Sequence, residues 1–114
     1  GKDLKDFLYI EDYIDAMLIA IEKLDDNQPL NIASGLPITI KEVLEEILIS
    51  ANYQNAPLVY DTSKPTMIPK RMIDISKAKE KLNWSPRVSI KEGIEKTVDW
   101  YKKTYNNKSP EDLL

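Results

Sequence analysis

The sequence contains neither cysteine nor histidine in its 114 residues. Without them no Ser-His-Asp or Cys-His nucleophile can be assembled from the chain. Zinc and haem lose their usual ligands. No disulfide framework exists, which makes a reducing, cytoplasmic home the natural expectation. Glycine is nearly as scarce, with Gly1, Gly35 and Gly93 the only ones, and neither a G-x-G-x-x-G turn nor a P-loop can be spelled from them. No apolar run reaches the ~20 residues needed to span a bilayer, and no signal peptide opens the chain. Positive charge is not in excess: the net charge is −3 and the sequence pI about 5.0, which argues against nucleic acid as the partner. The chain opens on Gly1 with no initiator Met, as expected of either a fragment or a processed chain. Any chemistry tied to these residues is expected to have its engine elsewhere.

What is present is an ordinary globular composition, 42% hydrophobic and 31% charged, sized for one domain over residues 1–114 with a modest core. Lys5 to Ile10 reads as a short strand feeding a helix, with Asp12 as N-cap and Asp15 in the reach-back position. The stripe Tyr13, Ile14, Met17, Leu18, Ile21 and Leu24 predicts an amphipathic helix that belongs to the core. Leu30 to Ala33 reads as a brief strand stopped at Ser34-Gly35. Thr39-Ile40-Lys41-Glu42 is a capping box opening a helix with Ile40, Val43, Leu44, Ile47, Leu48 and Ala51 inward. A short helix through Ser76, Ala78 and Leu82 is expected to stop on Asn83. A second box, Ser89 to Glu92, starts a last helix with Ile90, Ile94, Val98 and Tyr101 on one face. Trp84 and Trp100 read as core-closing aromatics. The segment from 106 to 114 is expected to be frayed.

The stretch LVYDTSKPTMIPKRMID, from Leu58 to Asp74, stands apart. Leu58-Val59-Tyr60 reads as a strand. Pro65 and Pro69 each fix their own φ and push the preceding residue into extended backbone. Lys64, Lys70 and Arg71 then lie on a stiffened loop, where binding one anion costs less ordering entropy. The same pattern also fits a solvated loop whose charges only keep it soluble. Asp61 and Asp74 are expected to steady that loop or cap the next helix. Tyr60 and Lys64 have the four-residue spacing of a Tyr-x-x-x-Lys catalytic pair. That pair works on one face of a helix, and Pro65 disfavours helix at Lys64, so no catalytic residue is assigned.

In order, KDFLYIEDYIDAMLIAI, LNIASG, ITIKEVLEEI, YDTSKP, PKRMIDISKAKEKLNW and SIKEGIEKTVDWY resemble the C-terminal part of extended short-chain dehydrogenase/reductases, the NAD-dependent epimerase/dehydratase family. Within it the chain resembles the GDP-L-fucose synthases, which have a comparable Ser-Lys-Pro and a Pro before two basic residues. The resemblance runs from about Gly1 to Tyr105. It implies an α/β fold, a C-terminal fragment of a Rossmann-type enzyme with about four helices and a few short strands. It also implies an N-terminal Rossmann domain, outside these residues, that binds NAD or NADP and carries the catalytic groups. LNIASG would extend that domain's sheet, and the fragment alone would be inactive.

The resemblance implies substrate-binding roles for Lys5, where the family usually has Arg, and for Lys70 and Arg71, where the family's order is reversed. Arg71 would be the main ligand of a nucleotide-diphosphate sugar's pyrophosphate, assisted by Lys5, Lys64 and Lys70. Lys5 supplies a point charge where Arg would give a bidentate fork. Thr66-Met67-Ile68 is bulkier and more apolar than the family's turn, which leaves base and sugar identity open. A homodimeric parent is open too, and a free-standing binding module without catalysis is the alternative function.

Overall fold

Two asparagines and one capping box set most of the boundaries in this chain. The computed structural model describes residues 1–64 and 68–105. Among them are four helices, α1 (Ile10–Lys23), α2 (Ile40–Ala51), α3 (Ser76–Leu82) and α4 (Ile90–Tyr105), and two short strands, β1 (Leu4–Lys5) and β2 (Ile38–Thr39). The strands pair antiparallel, Leu4 opposite Thr39 and Lys5 opposite Ile38. Pro65, Thr66, Met67 and the tail from 106 onward, expected respectively to brace the loop, to reshape it and to fray, lie outside the described residues.

The Thr39 box forms as read. The Glu42 N–H donates to Thr39 Oγ1 at 3.2 Å, and the Thr39 N–H donates to Glu42 Oε2 at 2.9 Å. Two further first-turn donors of α2 are spent on the N-terminus, Ile40 N–H on the Asp3 carbonyl and Lys41 N–H on that of Gly1. Helix α2 stops on Asn52 at φ 61°, and α3 stops on Asn83 at φ 51°, the left-handed conformation Asn tolerates. Asp74 Oδ1 accepts both the Ser76 N–H at 2.8 Å and the Ser76 hydroxyl at 2.6 Å, a local turn that launches α3. At α4 only the forward half of the second box is drawn, Glu92 N–H to Ser89 Oγ at 3.2 Å, while the Glu92 carboxylate pairs with Lys96.

The core is smaller than the patterning implies. Ala16, Ala78, Leu82 and Trp84 are buried together, with Leu8, Ile19, Ala20, Leu24, Leu30 and Ile32 packed around them. The small side chains of Ala16 and Ala78 let α1 and α3 approach closely. Tyr13, Ile14, Met17, Leu18 and Ile21, expected inside, form an exposed apolar face instead. Of the expected stripe only Leu24 reaches the core. Trp84 closes the cluster as expected, whereas Trp100 is 57% exposed and meets Tyr105 edge to face. Helices α2 and α4 pack side by side but leave an apolar cleft of about 600 Å³, lined by Phe7, Val43, Ile47, Ile90, Val98 and Tyr101 among others. The radius of gyration, 17.0 Å, exceeds the ~13 Å of a compact domain this long.

One expected strand is shorter than read, and two others are not strands among the described residues. The extended pairing near the N-terminus is confined to Leu4–Lys5, and α1 begins at Ile10 with Tyr9 as its uncapped N-cap residue. Leu30 to Ala33 packs its apolar side chains on the core but has no ladder partner among the described residues. Leu58 to Tyr60 likewise finds no neighbouring strand, and Val59 is 88% exposed. Alternation is a local signal, while a strand requires a second backbone to bond.

Asp12 is not a cap. It lies within the first turn of α1, 1% exposed, and its Oδ2 accepts the backbone N–H of Arg87 at 3.1 Å and of Val88 at 2.9 Å. Two backbone donors from a distant turn satisfy this buried carboxylate, as a buried polar group requires.

Candidate functional site

Strand β1 organises the basic residues because it is bonded on both edges. One edge carries β2. On the other, Leu4 N–H donates to the Pro69 carbonyl at 2.8 Å and Arg71 N–H donates to the Leu4 carbonyl at 3.0 Å, a parallel bridge between Leu4 and Lys70. The residue at 69 can serve this edge because proline retains its carbonyl. The loop expected to be basic thus closes against the strand that carries Lys5.

The Lys5 ammonium reaches the Ile68 carbonyl at 2.5 Å and stands 3.6 Å from the Asp3 carboxylate. Side chains alternate across a paired strand. With Leu4 opposite Lys70, Lys5 and Arg71 therefore share one face, while Lys70 shares the face of Leu4. The side chains of Lys70 and Arg71 are exposed, and no ion pair engages them among the described residues. Lys64 is exposed as well, and no contact among the described residues draws it to β1. Of the four cations singled out in the sequence, the backbone gathers Lys5, Lys70 and Arg71 at one strand edge; Lys64 stands apart.

Beside Lys5 is a residue that the sequence did not single out. Asp6 accepts the Ser34 N–H on Oδ1 at 2.8 Å and the Gly35 N–H on Oδ2 at 2.9 Å. Gly35 has φ +71°, and a Cβ there would come within 3.1 Å of the Ile75 side chain. The available signal was the Ser34-Gly35 turn, whose successive N–H groups need an anionic acceptor. Asp6 is that acceptor, so the turn is already filled by the protein's own carboxylate.

Two carboxylates flank the loop. Asp61 takes the Ser63 hydroxyl at 2.6 Å and the Ser63 N–H at 2.9 Å, and these bonds hold its carboxyl below its ordinary value. Asp74 is lowered in the same way by Ser76. Both are committed to local turns, as expected, and neither neutralises Arg71. Tyr60 and Lys64 lie in irregular backbone, not on a helix, so their four-residue spacing gives no catalytic pairing of the helical kind. Asp26 is bonded to Lys81 and to the Gln28 N–H, at 3.2 Å for the latter.

The family model for GDP-mannose 4,6 dehydratase matches residues 1–97. The chain belongs to that family. It is 32% identical over 108 residues to GDP-L-fucose synthase 1 of Arabidopsis thaliana, covering 95% of this chain and 33% of the relative. Among solved structures it matches the UDP-glucose 4-epimerase of Thermotoga maritima, determined with UDP-glucose, at 36% identity and a TM-score of 0.83 over 91% of this chain and 33% of that one. A UDP-glucuronic acid 4-epimerase from Bacillus cereus in complex with NAD matches at 25% identity and a TM-score of 0.75, covering 96% of this chain and 34% of the other. The chain spans about a third of the length of these relatives. The extended short-chain dehydrogenase/reductase resemblance and the α/β fold class read from the sequence both hold.

Proposed function

We propose that this chain is the nucleotide-sugar-binding region of an NAD(P)-dependent epimerase, dehydratase or reductase, similar to GDP-L-fucose synthase. The observation that carries this reading is the closure of the Ile68–Arg71 backbone onto β1, which puts Arg71, engaged by no ion pair among the described residues, on the face of Lys5. A guanidinium can meet a phosphate with two parallel N–H donors, the strongest form of that contact. Arg71 is the principal pyrophosphate ligand, assisted by Lys5 on the same face, while Lys70 and Lys64 add positive charge at longer range. GDP-L-fucose and UDP-glucose, the compounds that give the two relatives their names, share that diphosphate.

The residues of this chain do not fit a dinucleotide. The one glycine turn with positive φ has its N–H already taken by Asp6, so no backbone donor there is left for a phosphate. NAD or NADP, and the catalytic residues, belong to a Rossmann region outside this chain. The exposed apolar face of α1 is the surface that supports such a partner, since contiguous apolar patches mark contact sites. Among the described residues no helix is long and apolar enough to cross a membrane, and the cysteine-free composition supports a cytoplasmic home.

The experiment is amide chemical-shift mapping of the chain with GDP, UDP, dTDP and CDP. Perturbations centred on Lys5, Lys70 and Arg71 support the reading, and the strongest binder among the four names the base. Shifts confined to other surfaces, or none at millimolar nucleotide, overturn it.

A further inference from the structure

Among the described residues, Lys5 is the one basic residue of the site whose charge is already engaged. Its ammonium lies 2.5 Å from the Ile68 carbonyl and 3.6 Å from Asp3. The partner carbonyl belongs to the residue just before Pro69, whose own carbonyl receives the Leu4 N–H. The Lys5 side chain and the Leu4 backbone therefore hold two successive carbonyls of the loop, and Arg71 N–H closes the same edge on Leu4. On the other side of Lys5, Asp6 fixes the strand end by gripping Ser34 and Gly35. A lysine anchored in this way cannot swing toward a ligand without releasing Ile68.

We propose that Lys5 serves binding as a positioning residue, a clasp that holds Ile68–Arg71 against β1 so that the Arg71 guanidinium is presented to a nucleoside diphosphate. This rests on the reading of Arg71 as phosphate ligand and assigns Lys5 a different part in it: its charge-assisted bond to a carbonyl orders the loop before ligand arrives. Preordering lowers the entropy cost of binding without adding a contact to the ligand. A free lysine would instead add its charge directly to the phosphate.

The two roles separate in the ligand-free chain. Amide hydrogen exchange is measured at Leu4 and Arg71, the two donors of the loop-strand bridge, in wild type, Lys5→Met and Lys5→Arg, and GDP and UDP affinities are titrated for each. A clasp predicts that Lys5→Met speeds exchange at both amides by roughly tenfold, the loss expected for one charge-assisted hydrogen bond. Protection along α2 should be unchanged, which reports an intact fold. Lys5→Arg, which can still donate to the carbonyl, should restore both protection and affinity. Unchanged protection in Lys5→Met overturns the proposal whatever happens to affinity, and so does lost protection with nucleotide affinity intact. Arg71→Ala is the separate control. If it leaves nucleotide binding unaltered, the phosphate role of Arg71 fails, while the exchange data still decide whether Lys5 clasps the loop.

Discussion

The Asp12 carboxylate accepts the Val88 N–H at 2.9 Å across 76 positions of sequence, and so ties the first turn of α1 to the turn that launches α4. The same oxygen takes the Arg87 N–H, and the Arg87 guanidinium also bonds Asp15 one turn along. These contacts join the α1–α3 core to the α2–α4 pair.

Removing that tie should be costly. Asp12→Ala removes the buried acceptor of two part-buried N–H groups, and a donor left unpaired away from water costs about 1–3 kcal/mol. A loss of about 2–4 kcal/mol in urea denaturation is expected. Asp15→Ala, at a more exposed position and losing its bond to the Arg87 side chain, should cost less than about 1 kcal/mol. Equal losses in the two variants would show that the buried backbone bonds are not what matters.

Gly35 is the position where the backbone itself is demanding. Its φ of +71° disfavours any Cβ, and the Ile75 side chain lies 3.1 Å from where that Cβ would be. Gly35→Ala is expected to destabilise by about 1–2 kcal/mol, the ordinary cost of the left-handed conformation. Gly35→Asn should cost less than Gly35→Ala if conformation dominates, and more if the clash with Ile75 does. Thermal unfolding of the two variants decides between them.

Arg71 and Lys70 are adjacent in sequence but on opposite faces of the edge they share. Arg71→Ala should weaken GDP or UDP binding by about tenfold or more, the size of a lost charge-assisted contact. Lys70→Ala should change it less than threefold, the remaining effect being long-range charge. In the longer enzyme proposed here, Arg71→Ala should raise the substrate KM with little change in cofactor affinity. A larger effect from Lys70 than from Arg71 would invert the assignment of faces.

The sequence carried the local chemistry of this chain well and its long-range bonds poorly. The Thr39 box, the Asn83 stop and the Asp74–Ser76 turn each depend on residues within four positions of one another, and all three form. Asp6, Asp12 and Lys5 act on partners 28, 75 and 63 positions away, and nothing in a local pattern names such partners. The α1 stripe was legible as amphipathic, but which face would be covered depends on what packs there, and the small Ala16 won that contact over Met17 and Leu18. The cations were visible as types. Their sorting onto two faces required the Leu4–Lys70 register.

Acid should loosen the chain in a defined window. Asp26, Asp61 and Asp74 are lowered from an ordinary 3.8, and Glu42 from an ordinary 4.5. Side-chain hydrogen bonds are the largest cause in each, from Lys81, Ser63, Ser76 and Thr39 respectively. A carboxyl whose folded value lies below its unfolded one stabilises the fold above the unfolded value and ceases to do so as pH falls through the folded one. Helicity by circular dichroism should therefore hold down to about pH 4.5 and decline below the ordinary Asp and Glu range. Because the Asp74 and Glu42 bonds are to hydroxyl and backbone groups, moderate salt should shift that decline little. A midpoint well above pH 5 would point to a different group.

Trp84 offers the opposite kind of test, since it is 5% exposed and its indole Nε1–H has no hydrogen-bond partner among the described residues. A buried donor without an acceptor costs about 1–3 kcal/mol, which the large apolar contact with Ala16, Ala78 and Leu82 offsets. Trp84→Phe removes the orphan donor and part of the ring together, so the lost area and the relieved donor should nearly cancel, leaving a change within about 1 kcal/mol. Trp84→Ala keeps neither and should cost about 3–5 kcal/mol. If Trp84→Phe were as damaging as Trp84→Ala, the indole N–H would have to be bonded in solution, and its slow exchange in the wild-type chain would show it.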